Sequence, residues 1–325
     1  MSIRIQRYIA ILAVLLFLVK IYAWYLTHSV TILTDALESI VNVIAGFIGL
    51  YSVILAAKPR DSNHPYGHGK VQFVTSAVEG ALIIIAGLFI IYEAIVRLFE
   101  TKPLHKLDIG VWLILATGLI NFFVGRYAVN QGKKQRSIVV ESAGQHLLSD
   151  AYSTAGIAVG ISILLITKWL WLDSVVAMVF AIIISVTGYK VLRRSMAGIM
   201  DEADEKLLKE VIDFLQHNRK DQWVDLHNLR VIQYGEVLHI DTHISLPWYY
   251  SVAQAEKEIH GLEDLVKTHF GNKVEFFIHI DGCMPYQCNL CALQGCPERK
   301  EAFTKQIEWT LQNVQRDEKH GKAEI

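Results

Sequence analysis

The chain has 325 residues, 52% of them hydrophobic and 19% charged, with a mean hydropathy of +0.32 and a formal net charge of −1. Such a composition is too apolar for an ordinary soluble protein. The near-balanced charge excludes the broad basic field that marks a nucleic-acid binder.

The apolar residues gather in six blocks of about 20, the length that crosses a bilayer as helix. They are residues 8–27, 31–56, 73–98, 109–129, 141–166 and 169–192. The first follows Arg4 and Arg7, as a signal peptide would. It is too long, lacks a small-residue cleavage site and leads into further spans, so it reads as a membrane helix. Arg4 and Arg7, then Lys58, Arg60 and Lys70, then Arg126, Lys133, Lys134 and Arg136, then Lys190, Arg193 and Arg194 fall on one side. Arg97, Lys102, Lys106 and Lys168 fall on the other. This bias predicts a multi-pass protein with both termini in the cytoplasm, and a bacterial inner membrane is its expected home.

Polar residues inside these blocks carry the functional signal. A carboxylate at the centre of a membrane helix costs about 2.5–3.5 kcal/mol on insertion scales, so it is kept for a reason. Glu38 and Asn42 in the second block, and His146 and Asp150 in the fifth, are each four residues apart. That spacing sets both members of a pair on one helix face. Two such faces opposed in a bundle make an oxygen and nitrogen site for a divalent cation. Lys20 and Glu79 are further charges within the spans, expected to snorkel or pair. His28 is expected at the interface. No HExxH stands in any span and no serine nucleophile is paired with a base, so no catalytic residue is assigned.

Composition changes near Met200. The segment predicts a helix at 204–218, strands at 224–233 and 236–246 joined by a turn at Gly235-Glu236, a helix at 251–270 and a strand at 273–281. That order, αββαβ, suits a small ferredoxin-like α+β domain. The fold expectation is an all-α six-helix membrane domain (1–200), a cytosolic ferredoxin-like domain (201–282), and a Cys-rich tail (283–325) with a charged helix at about 298–319.

With these residues in view, the chain resembles the cation diffusion facilitator family over roughly residues 5–285. The resemblance rests on Ser29-Val30-Thr31-Ile32-Leu33, on Asp61-Ser62-Asn63-His64-Pro65-Tyr66-Gly67-His68-Gly69-Lys70, and on His146-Leu147-Leu148-Ser149-Asp150. It implies a homodimeric, proton-coupled exporter whose bilayer site draws a pair from helix two and a pair from helix five. The fifth-helix pair falls on His146 and Asp150. The second falls on Glu38 and Asn42, where the family usually ends on Asp, and Asp35 one turn earlier can supply the missing carboxylate. The resemblance also implies a second metal site at Asp61, His64 and His68, whose spacing suits zinc. A third, in the soluble domain, falls on His243, His279 and Asp281, with Glu256 at the matching helix position.

The cysteines lie outside what the resemblance assigns. Cys283-x4-Cys288-x2-Cys291-x4-Cys296 packs all four into 14 residues, a pattern for a closed tetrahedral zinc site or an iron–sulfur cluster. Disulfides are disfavoured in a cytosolic tail. The expected function is export of a divalent transition metal, zinc first, with iron, cobalt or manganese as alternatives. Expected partners are the metal, protons, membrane lipid and a second copy of the chain, with no nucleic acid. Zinc is also expected as a structural or regulatory ion at the Cys cluster and in the soluble domain. The competing reading is a membrane-anchored metal sensor or redox module built on the Cys cluster.

Overall fold

The computed structural model describes residues 2–27, 30–99, 109–167, 170–271 and 273–321. The chain divides into two compact units, Met1–Met200 and Asp201–Ile325.

The first unit consists of helices α1 (Ser2–Thr27), α2 (Val30–Ala56), α3 (Val71–Phe99), α4 (Ile109–Gln135), α5 (Ile138–Thr167) and α6 (Leu170–Ile199). Several outrun their apolar blocks. α4 closes on Lys133 and Lys134, cations that suit the negative end of a helix dipole. Among the described residues, Ser2–Tyr22 and Val71–Val96 are long and apolar enough to cross a bilayer. The distribution of side chains is inverted relative to a soluble bundle. Tyr8, Ile85 and Phe123 are more than 60% exposed, whereas Gln6, Gln72, Ser76, Glu79, Asn121 and Ser142 are buried. Water would penalise such a surface, and lipid does not.

The closest helix pairs are α3 with α6, α4 with α5, and α1 with α2. Missing side chains make two of these approaches possible. A Cβ on Gly188 would lie 2.9 Å from the Gly80 carbonyl oxygen, and one on Gly144 would lie 2.7 Å from the Val129 nitrogen. Small residues at such crossings substitute dispersion contact for the hydrophobic drive that lipid cannot supply.

The second unit holds α7 (Glu205–His217), β1 (Asp225–Tyr234), β2 (Val237–Leu246), α8 (Val252–Phe270) and β3 (Val274–Gly282). Asp204 caps α7 by accepting from the Lys206 and Leu207 amides, and Ser251 with Gln254 forms a capping box on α8. The sheet order is β1-β2-β3, with β1 antiparallel and β3 parallel to β2. Gly235, at φ +63°, opens the two-residue hairpin turn. Leu208, Val211, Ile212 and Leu215 form one stripe of α7 in a core shared with Leu226, Ile240, Ile244, Leu262, Val266 and Phe276.

β1 carries a bulge between His227 and Arg230, with Asn228 in the left-handed region at φ +51°. The extra residue reverses the side-chain parity along the strand. Leu226 opposite Ile244 and Val231 opposite Ile240 therefore both reach the core.

The charged helix expected at 298–319 is not formed. Only Leu311–Val314 is helical (α9), and residues 302–310 run without regular structure. Burial explains the difference. Ile307, Trp309 and Leu311 alternate as on an extended chain, and Trp309 and Val314 enter the core of the second unit. Arg219 lies 4.1 Å over the Trp309 ring and donates to the Ile307 carbonyl at 2.6 Å. The Asn228 amide donates to the Arg316 carbonyl at 2.8 Å. The tail is thus a strap over the domain and part of it.

Candidate metal centres

In the first unit, Asn42 of α2 bridges two residues of α5. Its Nδ2 donates to Asp150 Oδ2 at 2.5 Å, and its Oδ1 faces His146 Nε2 at 2.5 Å. A carbonyl oxygen only accepts, so His146 Nε2 carries the proton. His146 is 9% exposed, and its Nδ1 has no hydrogen-bond partner among the described residues. The predicted convergence of helices two and five therefore exists at Asn42, His146 and Asp150. The side chains of Asp35 and Glu38 lie outside the described residues, as does His28.

One turn before His146, Ser142 donates to the buried Glu79 carboxylate of α3, and its Oγ lies 3.0 Å from Ser76 Oγ, which can donate to it. Ser142, His146 and Asp150 thus lie along one line of α5, which connects Glu79 to the bridged site. Gln6 is fully buried beside this group, and its amide has no hydrogen-bond partner among the described residues. Sequence reasoning set Glu79 aside. The four-residue spacing from Ser142 was the signal that links it to the pair.

The loop between α2 and α3 folds Asp61, His64 and His68 together, with one donor atom of each within 4.8 Å of the others. Asp61 Oδ1 lies 3.1 Å from His64 Nδ1, and Oδ2 lies 3.3 Å from His68 Nε2. Asp61 also accepts from the amides of His64 at 2.7 Å and Asn63 at 3.0 Å. The amide bond from His64 chiefly holds its carboxyl below the usual range. His68 Nδ1 is buried without a hydrogen-bond partner among the described residues. The structure brings together the three residues singled out in the sequence, and they offer hard and borderline donors that suit a divalent ion.

In the second unit the grouped residues are His227, His243 and Asp281. Cross-strand pairing of His227 with His243, and parallel pairing of Ser245 with Asp281, bring all three to the sheet face opposite the helices. Asp281 Oδ2 lies 3.4 Å from His227 Nε2 and 3.3 Å from His243 Nδ1, and is buried without a hydrogen-bond partner among the described residues. An orphaned carboxylate oxygen between two imidazoles fits a zinc ion. His279 stacks near His243, with ring centroids 4.6 Å apart. These two, with Arg230 and Asp241, help line a cavity of about 380 Å³. Glu256 is elsewhere: it is exposed on α8 and lies 3.8 Å from His260, outside the group.

Sequence reasoning did not single out His227, which the structure groups with His243 and Asp281. Continuing the hairpin register without a bulge would set Asn228 opposite His243 instead. Behind His227 stands Asp225, 1% exposed. It lies 3.4 Å from His227 Nδ1, accepts from Gln287 Nε2 at 3.1 Å and from the His320 amide at 2.9 Å, and contacts the His320 ring. Burial pushes its carboxyl up, but the hydrogen bonds from His227 and His320 outweigh that and hold it well below the carboxylate range. Such a partner fixes the tautomer and direction of a ligating imidazole.

All four cysteines are free thiols and line one cavity of about 40 Å³ with Trp248, Tyr249, Arg299 and Lys300. Burial pushes the Cys283 and Cys291 thiols up, and the neighbouring cysteines add to the rise.

Two sequence comparisons bear on these sites. The cation efflux transmembrane domain matches residues 7–200, and the cytoplasmic domain of cation efflux proteins matches residues 203–283. An uncharacterized transporter of Synechocystis sp. is 31% identical over 78% of this chain and 81% of its own. The manganese efflux system protein MneS of Bacillus subtilis is 24% identical over 77% of this chain and 85% of its own. A cadmium, cobalt and zinc/H(+)-K(+) antiporter of the same organism is 24% identical over 78% and 83%.

Proposed function

We propose, for a chain that belongs to the cation diffusion facilitator family, that it exports a divalent transition metal, zinc first, from the cytoplasm in exchange for protons. It is a membrane transporter and not an enzyme. The observation that carries this reading is the Asn42 bridge between His146 and Asp150. The same three side chains offer a carbonyl oxygen, an imidazole nitrogen and a carboxylate, and Glu38, with Asp35 as a further carboxylate, completes the set in our reading.

The hydrogen bonds already present define the exchange. A metal at Nε2 displaces the proton that now faces Asn42: a neutral His146 shifts it to Nδ1, and an imidazolium releases it and keeps the one on Nδ1. Asp150 must release the Asn42 amide. Metal and proton therefore compete for the same atoms, and acid on the outer side favours release. Glu79, joined to this line through Ser142, is the residue we assign to receive the displaced proton. Rocking of α2 and α5 with their neighbours would present the site to each side in turn.

In this reading α1 to α6 all cross a bacterial inner membrane, both termini are cytoplasmic, and two copies associate. Asp61, His64 and His68 load metal at the cytosolic end. His227, His243 and Asp281 hold a resident zinc in the soluble domain.

The test is flux into proteoliposomes loaded with metal-sensitive and pH-sensitive dyes. Zinc uptake coupled to proton movement in the parent, and its loss in Asp150→Asn and His146→Ala with an unchanged detergent elution profile, are expected. Uptake that persists in Asp150→Asn sinks the assigned site. Zinc flux that ignores a pH gradient sinks the exchange.

A further inference from the structure

We propose that Cys283, Cys288, Cys291 and Cys296 hold one zinc ion in a closed four-thiolate site, and that this ion fixes the C-terminal strap to the cytosolic unit. The starting observation is a folding problem. Between Cys283 and Glu308 the chain has one 3-10 turn, Pro285–Gln287, and no other regular structure. In that stretch Cys291 is the one buried apolar side chain. A segment without a core of its own needs a staple, and metals or disulfides are the usual ones. The four cysteines are unpaired and face one cavity.

The surroundings are built for a thiolate cluster. Gly295, at φ +69°, turns the chain immediately before Cys296, and nothing crowds its missing side chain, so conformation alone requires it. Arg299 donates to the carbonyls of Cys288 at 2.8 Å, Cys291 at 3.1 Å and Leu293 at 2.6 Å, which fixes the loop bearing the central pair. The Lys300 amide donates to Cys288 Sγ at 3.4 Å, the type of outer contact that orients a thiolate ligand. Four thiolates around a divalent ion leave two negative charges in excess, and the Arg299 and Lys300 side chains line the same cavity. Among the described residues no three of the thiols lie mutually within 4.8 Å, as the residues of the two other groups do. Zinc–sulfur bonds of about 2.3 Å need the cysteines to turn inward about their side-chain torsions.

The consequence lies beyond the cluster. Past Lys300 the strap sends Trp309 and Val314 into the core. At its end Lys319 lies 3.1 Å from Asp281 Oδ1 and donates to the Gly282 carbonyl at 3.0 Å, while His320 reaches Asp225. Gln287, inside the cysteine segment, also reaches Asp225. The thiolate site thereby holds the groups that surround His227 and Asp281.

This proposal does not rest on export, and its readouts need no transport. Full-length protein in detergent, loaded with zinc, is treated with a thiol reagent before and after a zinc chelator. We expect all four thiols to be protected until the chelator is added, and residues 298–308 to become cleavable by protease at the same step. Cys288→Ser/Cys291→Ser should carry one zinc fewer per chain by elemental analysis. Cobalt in place of zinc should give thiolate-to-cobalt charge-transfer absorption. Immediate reaction of the thiols in zinc-loaded parent overturns the proposal. So does full zinc content in the double variant, or the visible absorption of an iron–sulfur cluster in the protein as purified. If the double variant does not fold, thiol protection in the parent decides.

Discussion

Asn42 is the residue on which the bilayer site turns, because an amide both donates and accepts while a carboxylate only accepts. In Asn42→Asp the donor to Asp150 is lost and two carboxylates face each other where one faced an amide. Like charges at that distance hold one proton between them, and a divalent ion replaces that proton favourably. The expected outcome is tighter zinc binding and release that needs a more acidic outer compartment, read as a shift of the flux profile toward lower pH. Glu79→Gln keeps the shape of the Ser142 contact but cannot take up a proton. Its transport rate should fall on the order of tenfold, about 1.4 kcal/mol of barrier, with zinc affinity at equilibrium unchanged. Equal losses of rate and affinity would make Glu79 part of the packing and not of the proton path. In the loop, Asp61 is held below the usual carboxylate range, so it stays ionised as pH falls toward that range. Protonation of Asp61 is then not the step by which acid releases a metal from this site. Asp61→Asn should weaken zinc binding at every pH, as isothermal titration across a pH series would register.

At the scale of elements, close approach decides what can be changed. Gly188→Val adds bulk where a Cβ would already lie 2.9 Å from backbone. Overpacking of this kind costs about 1–3 kcal/mol, and a lower melting temperature in detergent should report it, whereas Gly188→Ala should fall at the mild end. The bulge makes the complementary case. Asn228 sits at φ +51°, where Gly is free and a β-branched residue is strained by about 1–2 kcal/mol. Asn228→Gly should retain the His227–His243 pairing, and Asn228→Val should lose zinc from the soluble domain. These elements also divide what the sequence made legible from what it did not. The spans and the αββαβ order follow from long apolar runs and from period-two and period-3.6 patterns, which are local. Gly235 announced the hairpin turn because its conformation is written in its residue type. His227 was not legible, since its place opposite His243 depends on a bulge immediately after it in β1. The strap was misread as helix because its charged residues dominate the composition, while the alternation of Ile307, Trp309 and Leu311 that sends it into the core spans only five positions. Asn42, His146 and Asp150 were legible because a polar pair at helical spacing has few other reasons to stand in an apolar block.

At the scale of the whole molecule, the proposed three-residue set in the cytosolic unit would leave a zinc ion one coordination position to fill. His227, His243 and Asp281 lie on the sheet face opposite the helices, beside the exposed ring of Phe277. In a homodimer a second copy can cover this face, so zinc bound here adds to the stability of the folded, associated state. A ligand that binds only that state contributes about 2.7 kcal/mol at a hundred times its dissociation constant. Chelated protein should therefore melt lower and dissociate at a higher concentration than zinc-loaded protein. The thiolate cluster contributes an increment of its own, so the informative comparison holds that cluster loaded and removes the imidazole. His243→Ala should match the chelated parent in the mass distribution of the detergent-solubilised protein, and should gain nothing further from added zinc beyond what the cysteines supply. If zinc raises its melting temperature as much as the parent's, the sheet face holds no metal and apolar contact such as that of Phe277 must carry the association alone.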